Sequence, residues 1–270
     1  MRLCYLVREL KARGLSYGRI QQEILAASGH YLSRGSISEW VRQLHEPLGR
    51  VNEFDRTASV ELAYVIGAVL SDGNINSREY DREVLLSVTD REYAEEFGRC
   101  LTRILPGSST RIRRSDKRNR WIVQKRSILL YQFLNRPWKN LKPSIEHCKK
   151  CTAAFLRAFY DGEGSMSGRT LTLHNTQVDL LTYIRGLLSK FDIETTRLRA
   201  GTKAGTELKD PLSNRIYVRN RTCFCFRVRA RSLSRFASDI GFTIPRKEQK
   251  LTEALSKSNK GTFLSTSNIH

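Results

Sequence analysis

The sequence predicts an α+β fold of two related repeats preceded by a small all-α segment. Three observations lead there: an order of helices and strands that runs twice, apolar periodicities alternating between 3.6 and 2 residues within each copy, and an N-terminal stretch with helical periodicity alone. The chain has 270 residues and is 40% hydrophobic, enough to build ordinary cores. Lys+Arg of 47 against Asp+Glu of 27 gives a net charge of +20, an excess that makes nucleic acid the expected partner. No apolar run approaches the ~20 residues needed to cross a bilayer. The start MRLCYLVRELKARG places charge where a secretion signal needs an apolar stretch. The expectation is therefore a cytoplasmic or nucleoid-associated (organellar if encoded there) protein, with no membrane partner and no secretion.

Residues 1–47 read as three short helices. Leu3, Leu6, Val7 and Leu10 share a helical face, Gly14 stops that helix, and Ser16 is placed to cap a second carrying Ile20, Ile24 and Leu25. Ser36 is read as the cap of a third helix through Ile37, Trp40, Val41 and Leu44, and Pro47 prevents its continuation. A last helix exposing Arg34, Ser36, Ser38, Glu39 and Arg42 after a Gly-containing turn reads as helix-turn-helix-like, with Arg34, Ser36 and Arg42 as DNA contacts. Residues 48–59, polar or small at most positions, read as a linker.

The first repeat, 60–147, opens with the apolar helix ELAYVIGAVLSDG. A strand REVLLSVTD, an amphipathic helix REYAEEFGRCLTRIL, strands around STRIRRS and RWIVQKR, and a helix SILLYQFL follow. The second, 148–257, runs from the helix TAAFLRAFYDGEG through strand RTLTLHN, helix TQVDLLTYIRGLLSKF, strands ETTRLRA and TCFCFRVRA, to helix SLSRFASDIGF. Two such copies imply a pseudo-twofold axis with two similar sheets side by side. Residues 258–270 read as a flexible tail.

Each repeat's first helix ends in an acid followed by glycine, Asp72-Gly73 and Glu163-Gly164. The glycine is explained as a left-handed helix C-cap. The acid is not, because a carboxylate at a helix C-terminus faces the negative end of the macrodipole and costs up to ~1 kcal/mol. Acids at both matching positions point to a cation between them. Small residues at Gly67 and Ala158, five before each acid, would let the helices approach and set the carboxylates side by side. Such a hard, oxygen-rich site suits Mg²⁺, with Mn²⁺ as a substitute, which would activate water and stabilise charge on a phosphodiester.

VIGAVLSDG (65–73) and LRAFYDGEG (156–164) resemble the two nonapeptides of the LAGLIDADG homing endonuclease family, single-chain type, each with its acid in eighth place. The likeness covers roughly 60–257; Ser71 and Arg157 make it a match of pattern rather than spelling. The resemblance implies two αββαββα repeats forming a saddle of antiparallel sheets along the major groove, with the motif helices at the interface between repeats. It implies Asp72 and Glu163 as metal ligands, Gly73 and Gly164 beside the scissile phosphates, and site-specific cleavage of double-stranded DNA. Two unlike repeats suit a monomer acting on a long asymmetric site. It also implies an assisting lysine after each repeat's last helix: Lys247 in IGFTIPRKEQKL, and Lys142, or else Lys139, in RPWKNLKPSI. Two other roles occur on similar chains, RNA maturation with structured intron RNA as partner, and non-catalytic transcriptional regulation; both acids are present here, against the latter.

The strands supply candidate groove contacts. Arg111 and Arg113 share one face; Arg120 and Lys125 lie on the partner strand; Arg197 with Arg199, and Arg227 with Arg229, repeat the i, i+2 spacing. The loop TKAGTELKDPLSNRIYVRNR could reach flanking DNA. Of the six cysteines, Cys148-x-x-Cys151 follows His147 and Cys223-x-Cys225 lies on a strand. A structural zinc joining the two pairs is not the expectation, because CxC on an alternating strand places two small apolar side chains on one face.

Overall fold

In the computed structural model, residues 2–28, 31–44, 53–78, 81–107, 109–116, 119–209 and 214–263 are described. The chain divides into two units, Met1–Val51 and Asn52–His270. In the first, α1 (Arg2–Ala12), α2 (Tyr17–Ser28) and α3 (Arg34–Val41) surround Val7, Leu10, Ile20, Ile24, Ile37 and Trp40. Gly14, at φ +85, ends α1 where the sequence predicts it. The cap of α3 is Ser33 rather than Ser36: Ser33 has the extended backbone a cap needs, and its hydroxyl accepts the Ser36 N–H at 3.0 Å. Ser36 is thereby drawn into the first turn. Leu25 and Leu44, assigned to apolar faces, are exposed, the latter because α3 stops at Val41. Pro47 and much of the expected linker lie outside the described residues.

The second unit contains the two repeats. The first is α4 (Val60–Ser71), β1 (Gly73–Arg78), β2 (Asp81–Val88), α5 (Arg91–Ile104), β3 (Ile112–Ser115), β4 (Arg120–Arg126) and α6 (Ile128–Leu134). After a short α7 (Lys142–Ile145), the second runs α8 (Lys149–Glu163), β5 (Gly164–Ser167), β6 (Thr170–Asn175), α9 (Val178–Ser189) and β7 (Arg199–Ala200). A hairpin of β8 (Glu207–Lys209) and β9 (Ile216–Val218) then leads to β10 (Phe224–Val228), α10 (Leu233–Asp239) and α11 (Pro245–Phe263). The αββαββα order holds twice. The sheets have the same antiparallel topology, β1-β2-β4-β3 and β5-β6-β10-β7.

β1 and β5 were not apparent from periodicity, because GNINSR is almost wholly polar and GSMS is four residues long. Pairing to β2 and β6 makes them strands. Helix continues through Phe263, past the point where a tail was expected, and 264–270 lie outside the described residues.

One face of each sheet is covered by a helix. In the first repeat Tyr93, Phe97 and Leu101 of α5 meet Val84, Leu86 and Val123; in the second Leu180, Ile184 and Leu187 of α9 meet Leu171, Leu173 and Phe226. α4 lacks a polar face: every residue from Leu62 to Ala68 is buried, because it packs against its own repeat on one side and α8 on the other. The opposite sheet faces carry mostly polar residues, with Leu85, Ile122 and Cys225 among them.

Candidate active site

Helices α4 and α8 pass each other at glycine. A Cβ on Gly67 would lie 2.4 Å from Phe155 O and 3.0 Å from Ala158 Cβ, and one on Gly162 would lie 2.5 Å from Ser71 Oγ and 3.0 Å from Asp72 Oδ2. Gly67 and Ala158 meet as their spacing predicts. Arg157, the charge that departs from the motif, is exposed and donates to Ile240 O at 2.6 Å, so it leaves the interface undisturbed. Tyr93 reaches across from the first repeat and donates to Ala158 O at 2.9 Å.

This crossing brings the two helix ends together. Asp72 is the C-cap of α4 and Glu163 the last residue of α8. The glycines that follow are not left-handed caps. Gly164 has φ −81 and ψ 137, extended backbone that opens β5, and Gly73 likewise opens β1 outside the positive-φ region. Glycine is needed there because each strand leaves its helix so tightly that a Cβ would strike the last turn, 2.4 Å from Tyr160 O at Gly164 and 2.6 Å from Val69 Cα at Gly73.

Among the described residues, nothing hydrogen-bonds the Asp72 carboxylate, and the Glu163 carboxylate accepts one bond, from Asn175 Nδ2 at 2.9 Å. Asp72 is open to solvent on its outer side, yet the helix ends around it desolvate the carboxyl and raise its pKa against the pull of Lys247 and Arg120. Burial, and next the negative charge of Asp72, push Glu163 up to about 7. Two carboxylates, each raised by burial and one also by the charge of the other, that keep oxygens unpartnered are a donor set that fits a hard divalent cation.

Lys247 is buried, 6% exposed, beneath the end of α8. Its ammonium donates to Tyr160 O at 3.1 Å, to Gly164 O at 2.7 Å and to Asp161 O. All three protons are committed to carbonyls, so in this conformation Lys247 acts on Asp72 and Glu163 through its charge. Asp161, also buried, accepts the Thr243 and Ile244 N–H groups at 3.0 and 3.3 Å, and burial lifts its pKa to about 6. Lys247→Met should cost about 3 kcal/mol in urea unfolding by stranding these carbonyls; a loss under ~0.5 kcal/mol would contradict this role.

Among the described residues, the first repeat has no counterpart. Lys142 lies over the rings of Tyr183 (4.8 Å) and Trp138 (5.6 Å), and Lys139 pairs with Asp179 at 3.6 Å. Neither is among the charges acting on Asp72. Val69, Leu70 and Gly73, which match the carbonyl-bearing Tyr160, Asp161 and Gly164, instead line a cleft of about 480 Å³ with Trp138 and Gln177. Asp161 and Asn175 were not singled out in the sequence. Asp161 could have been, as an acid where the first motif has Leu70; Asn175 emerges only once β6 is registered on β5.

Strand register sorts the candidate contacts. Arg113, Arg120 and Gln124 lie on the first sheet's open face, with Arg111 in line just before β3; Asn76 donates to Glu83 Oε1 at 3.1 Å, Gln124 donates to the other Glu83 oxygen, and Arg113 donates to Gln124 at 3.2 Å. Lys125 belongs to the other face: it pairs with core residue Val84, and its ammonium donates to Ser109 O at 2.7 Å. The strand alternation turns it inward. Arg126, passed over in the sequence, has the parity of the open face. In the second repeat Arg199 and Arg227 border His174, whose pKa is lowered by burial and then by Arg199, Arg219 and Arg227. Arg197 and Arg229 are exposed beside them, Arg229 at 3.7 Å from Glu194. In the separate helical unit, Arg34 and Arg42 are exposed and Ser36 half-buried. Cys223 and Cys225 are both buried, as the strand reading predicts.

Residues 150–241 match the family described as LAGLIDADG-like domain. Along nearly its whole length, 96% of this chain and 95% of the relative, the sequence is 27% identical to the uncharacterized protein MJ0398 of Methanocaldococcus jannaschii. A second uncharacterized protein of that organism, MJ0314, is 29% identical over 50% of this chain and 56% of its own. Among solved structures, variants of the homing endonuclease I-DmoI superpose with a TM-score of 0.50 at 18% identity, covering 68% of this chain and 96% of theirs. An I-DmoI variant in complex with its nicked target DNA and manganese gives 0.51 at 17% identity over 68% of this chain and 97% of that one. The second repeat thus matches a LAGLIDADG-like domain, and the unit of two repeats has the fold of the homing endonuclease I-DmoI.

Proposed function

We propose that the protein is a divalent-metal-dependent endonuclease that cuts double-stranded DNA at a long, asymmetric site as a monomer. The observation that carries this reading is the pair of converging, partly unpartnered carboxylates, Asp72 and Glu163, held at a helix crossing that permits no side chain. Acids so placed have no structural use of their own, since each opposes the helix dipole and repels the other. Mg²⁺ or Mn²⁺, held by both carboxylates, would supply Lewis acidity toward a phosphodiester. Gly73 and Gly164 let backbone come close to the DNA beside the acids, and Lys247 lends positive charge from beneath.

The open sheet faces would lie along the major groove. There Arg113 and Gln124 of the first sheet, and Arg199 and Arg227 of the second, would meet base edges, while Arg111, Arg120, Arg197 and Arg229 grip phosphates. Arg34, Ser36 and Arg42 would extend contact to flanking DNA. The relatives named I-DmoI are DNA-cleaving proteins crystallised with target DNA and with magnesium or manganese, which supports the reading.

The test is incubation of a randomised double-stranded DNA library with the protein and Mg²⁺, with and without chelator, followed by sequencing of ends. Defined double-strand breaks that vanish with chelator are expected. Tight, salt-dependent binding without any cutting would overturn the enzymatic reading in favour of a regulator or an RNA maturase.

A further inference from the structure

At the other end of α8 lies a group of side chains that DNA cleavage does not use. His147, Cys148 and Cys151 bring one imidazole nitrogen and two sulfurs within 4.8 Å of one another. Cys148 Sγ and Cys151 Sγ are 3.4 Å apart, and Cys151 Sγ is 4.0 Å from His147 Nδ1. With Zn–S near 2.3 Å and Zn–N near 2.05 Å, tetrahedral coordination requires S···S of about 3.8 Å and S···N of about 3.6 Å. The sulfurs lie slightly closer than that and the imidazole slightly farther out, so rotation of the exposed His147 and Cys148 side chains toward the fixed Cys151 closes the site.

We propose that His147, Cys148 and Cys151 bind one zinc ion, with solvent in the fourth position. The donors are borderline-soft nitrogen and sulfur, the set that selects zinc over the hard cations preferred by Asp72 and Glu163. Both cysteines are free thiols, and binding releases their two protons as the thiolates take up the ion. The backbone already holds the ligands in place. Cys148 is the N-cap of α8, its extended conformation turning Sγ back to accept the Cys151 N–H at 3.4 Å. Cys151 is fixed one turn on, 1% exposed, whereas His147 and Cys148 face solvent and leave an entry path.

The ion would tie the segment entering α8 to that helix's first turn, bracing the boundary between the repeats. Cys151 and Glu163 lie near opposite ends of α8, roughly 18 Å apart at 1.5 Å per residue, so the site is distinct from the acid pair. Cys223 and Cys225 take no part.

The test is titration of the reduced full chain with Co²⁺ and then Zn²⁺, in parallel with Cys148→Ser, Cys151→Ser and His147→Ala. One Co²⁺ per chain should bind with a thiolate charge-transfer band, Zn²⁺ should displace it, and Zn²⁺ should raise the melting temperature of the wild type. Each cysteine substitution should remove the band and weaken binding at least ~100-fold, and His147→Ala roughly 10-fold or more. Cys148→Ser keeps a capping oxygen and His147 is exposed, so two of the variants test the site with the fold intact. No stoichiometric binding to the wild type, or binding unchanged in Cys148→Ser and His147→Ala, would overturn the proposal.

Discussion

Asp72→Asn and Glu163→Gln will each lower DNA cleavage by at least about 10³-fold while leaving affinity for double-stranded DNA unchanged or higher. Each substitution removes one carboxylate charge from a pair set to hold a cation, and neither enlarges the side chain. Crowding is not the cause of any loss, because Asn and Gln occupy the same volume beside Gly162 and Asn175. Losing a negative charge next to DNA phosphates also favours binding, so binding without cutting separates chemistry from recognition. Measuring single-turnover cleavage and equilibrium binding on the same duplex decides it. Cutting by either variant at more than a tenth of the wild-type rate would remove that acid from the mechanism.

The second large effect is on folding. Gly67→Val will destabilise the repeat unit by about 3 kcal/mol or more, because even the first added carbon falls 2.4 Å from the carbonyl of Phe155, a backbone atom that cannot turn aside. In a unit of this size that lowers the melting temperature by roughly 6–12 °C. Gly186→Ala is the matched control: it lies within α9 with nothing inside 4 Å of the added carbon, and it should stabilise by up to ~1 kcal/mol. Equal melting temperatures for Gly67→Val and wild type would mean that the helices do not cross there.

Much of this architecture was legible because it is written twice. A single apolar helix ending in Asp-Gly is ordinary; the same pattern at Asp72 and Glu163, each opening the same order of elements, is not. Periodicity found the covered strands β2, β6 and β10, whose apolar residues alternate, and missed β1 and β5, which are strands only because a neighbour pairs with them. The glycines after the acids were assigned the wrong job. Sequence shows that a side chain is excluded, but only coordinates separate a left-handed turn from a collision with the preceding helix turn. Lys247 was found by its place after α10, whereas its bonds to three carbonyls depend on how α11 tucks beneath α8. Lys125 was misplaced by one step of strand register, which is enough to move a side chain to the other face.

The convergence of Asp72 and Glu163 is tested most directly by melting the metal-free wild type and Glu163→Gln from pH 4 to pH 8, then adding Mg²⁺. Glu163 titrates near 7 in the folded chain, above its ordinary 4.5, so the fold favours its protonated form. Its contribution is fully present below about pH 4.5 and is lost as pH rises through 7. Glu163→Gln, which carries no such charge, should match the wild type at pH 4 and exceed it at pH 8 by on the order of 2 kcal/mol. Mg²⁺ at pH 8 should then stabilise the wild type and leave Glu163→Gln nearly unmoved. Parallel curves across the whole range, with the same response to Mg²⁺ in both proteins, would mean that the two carboxylates do not share a cation site.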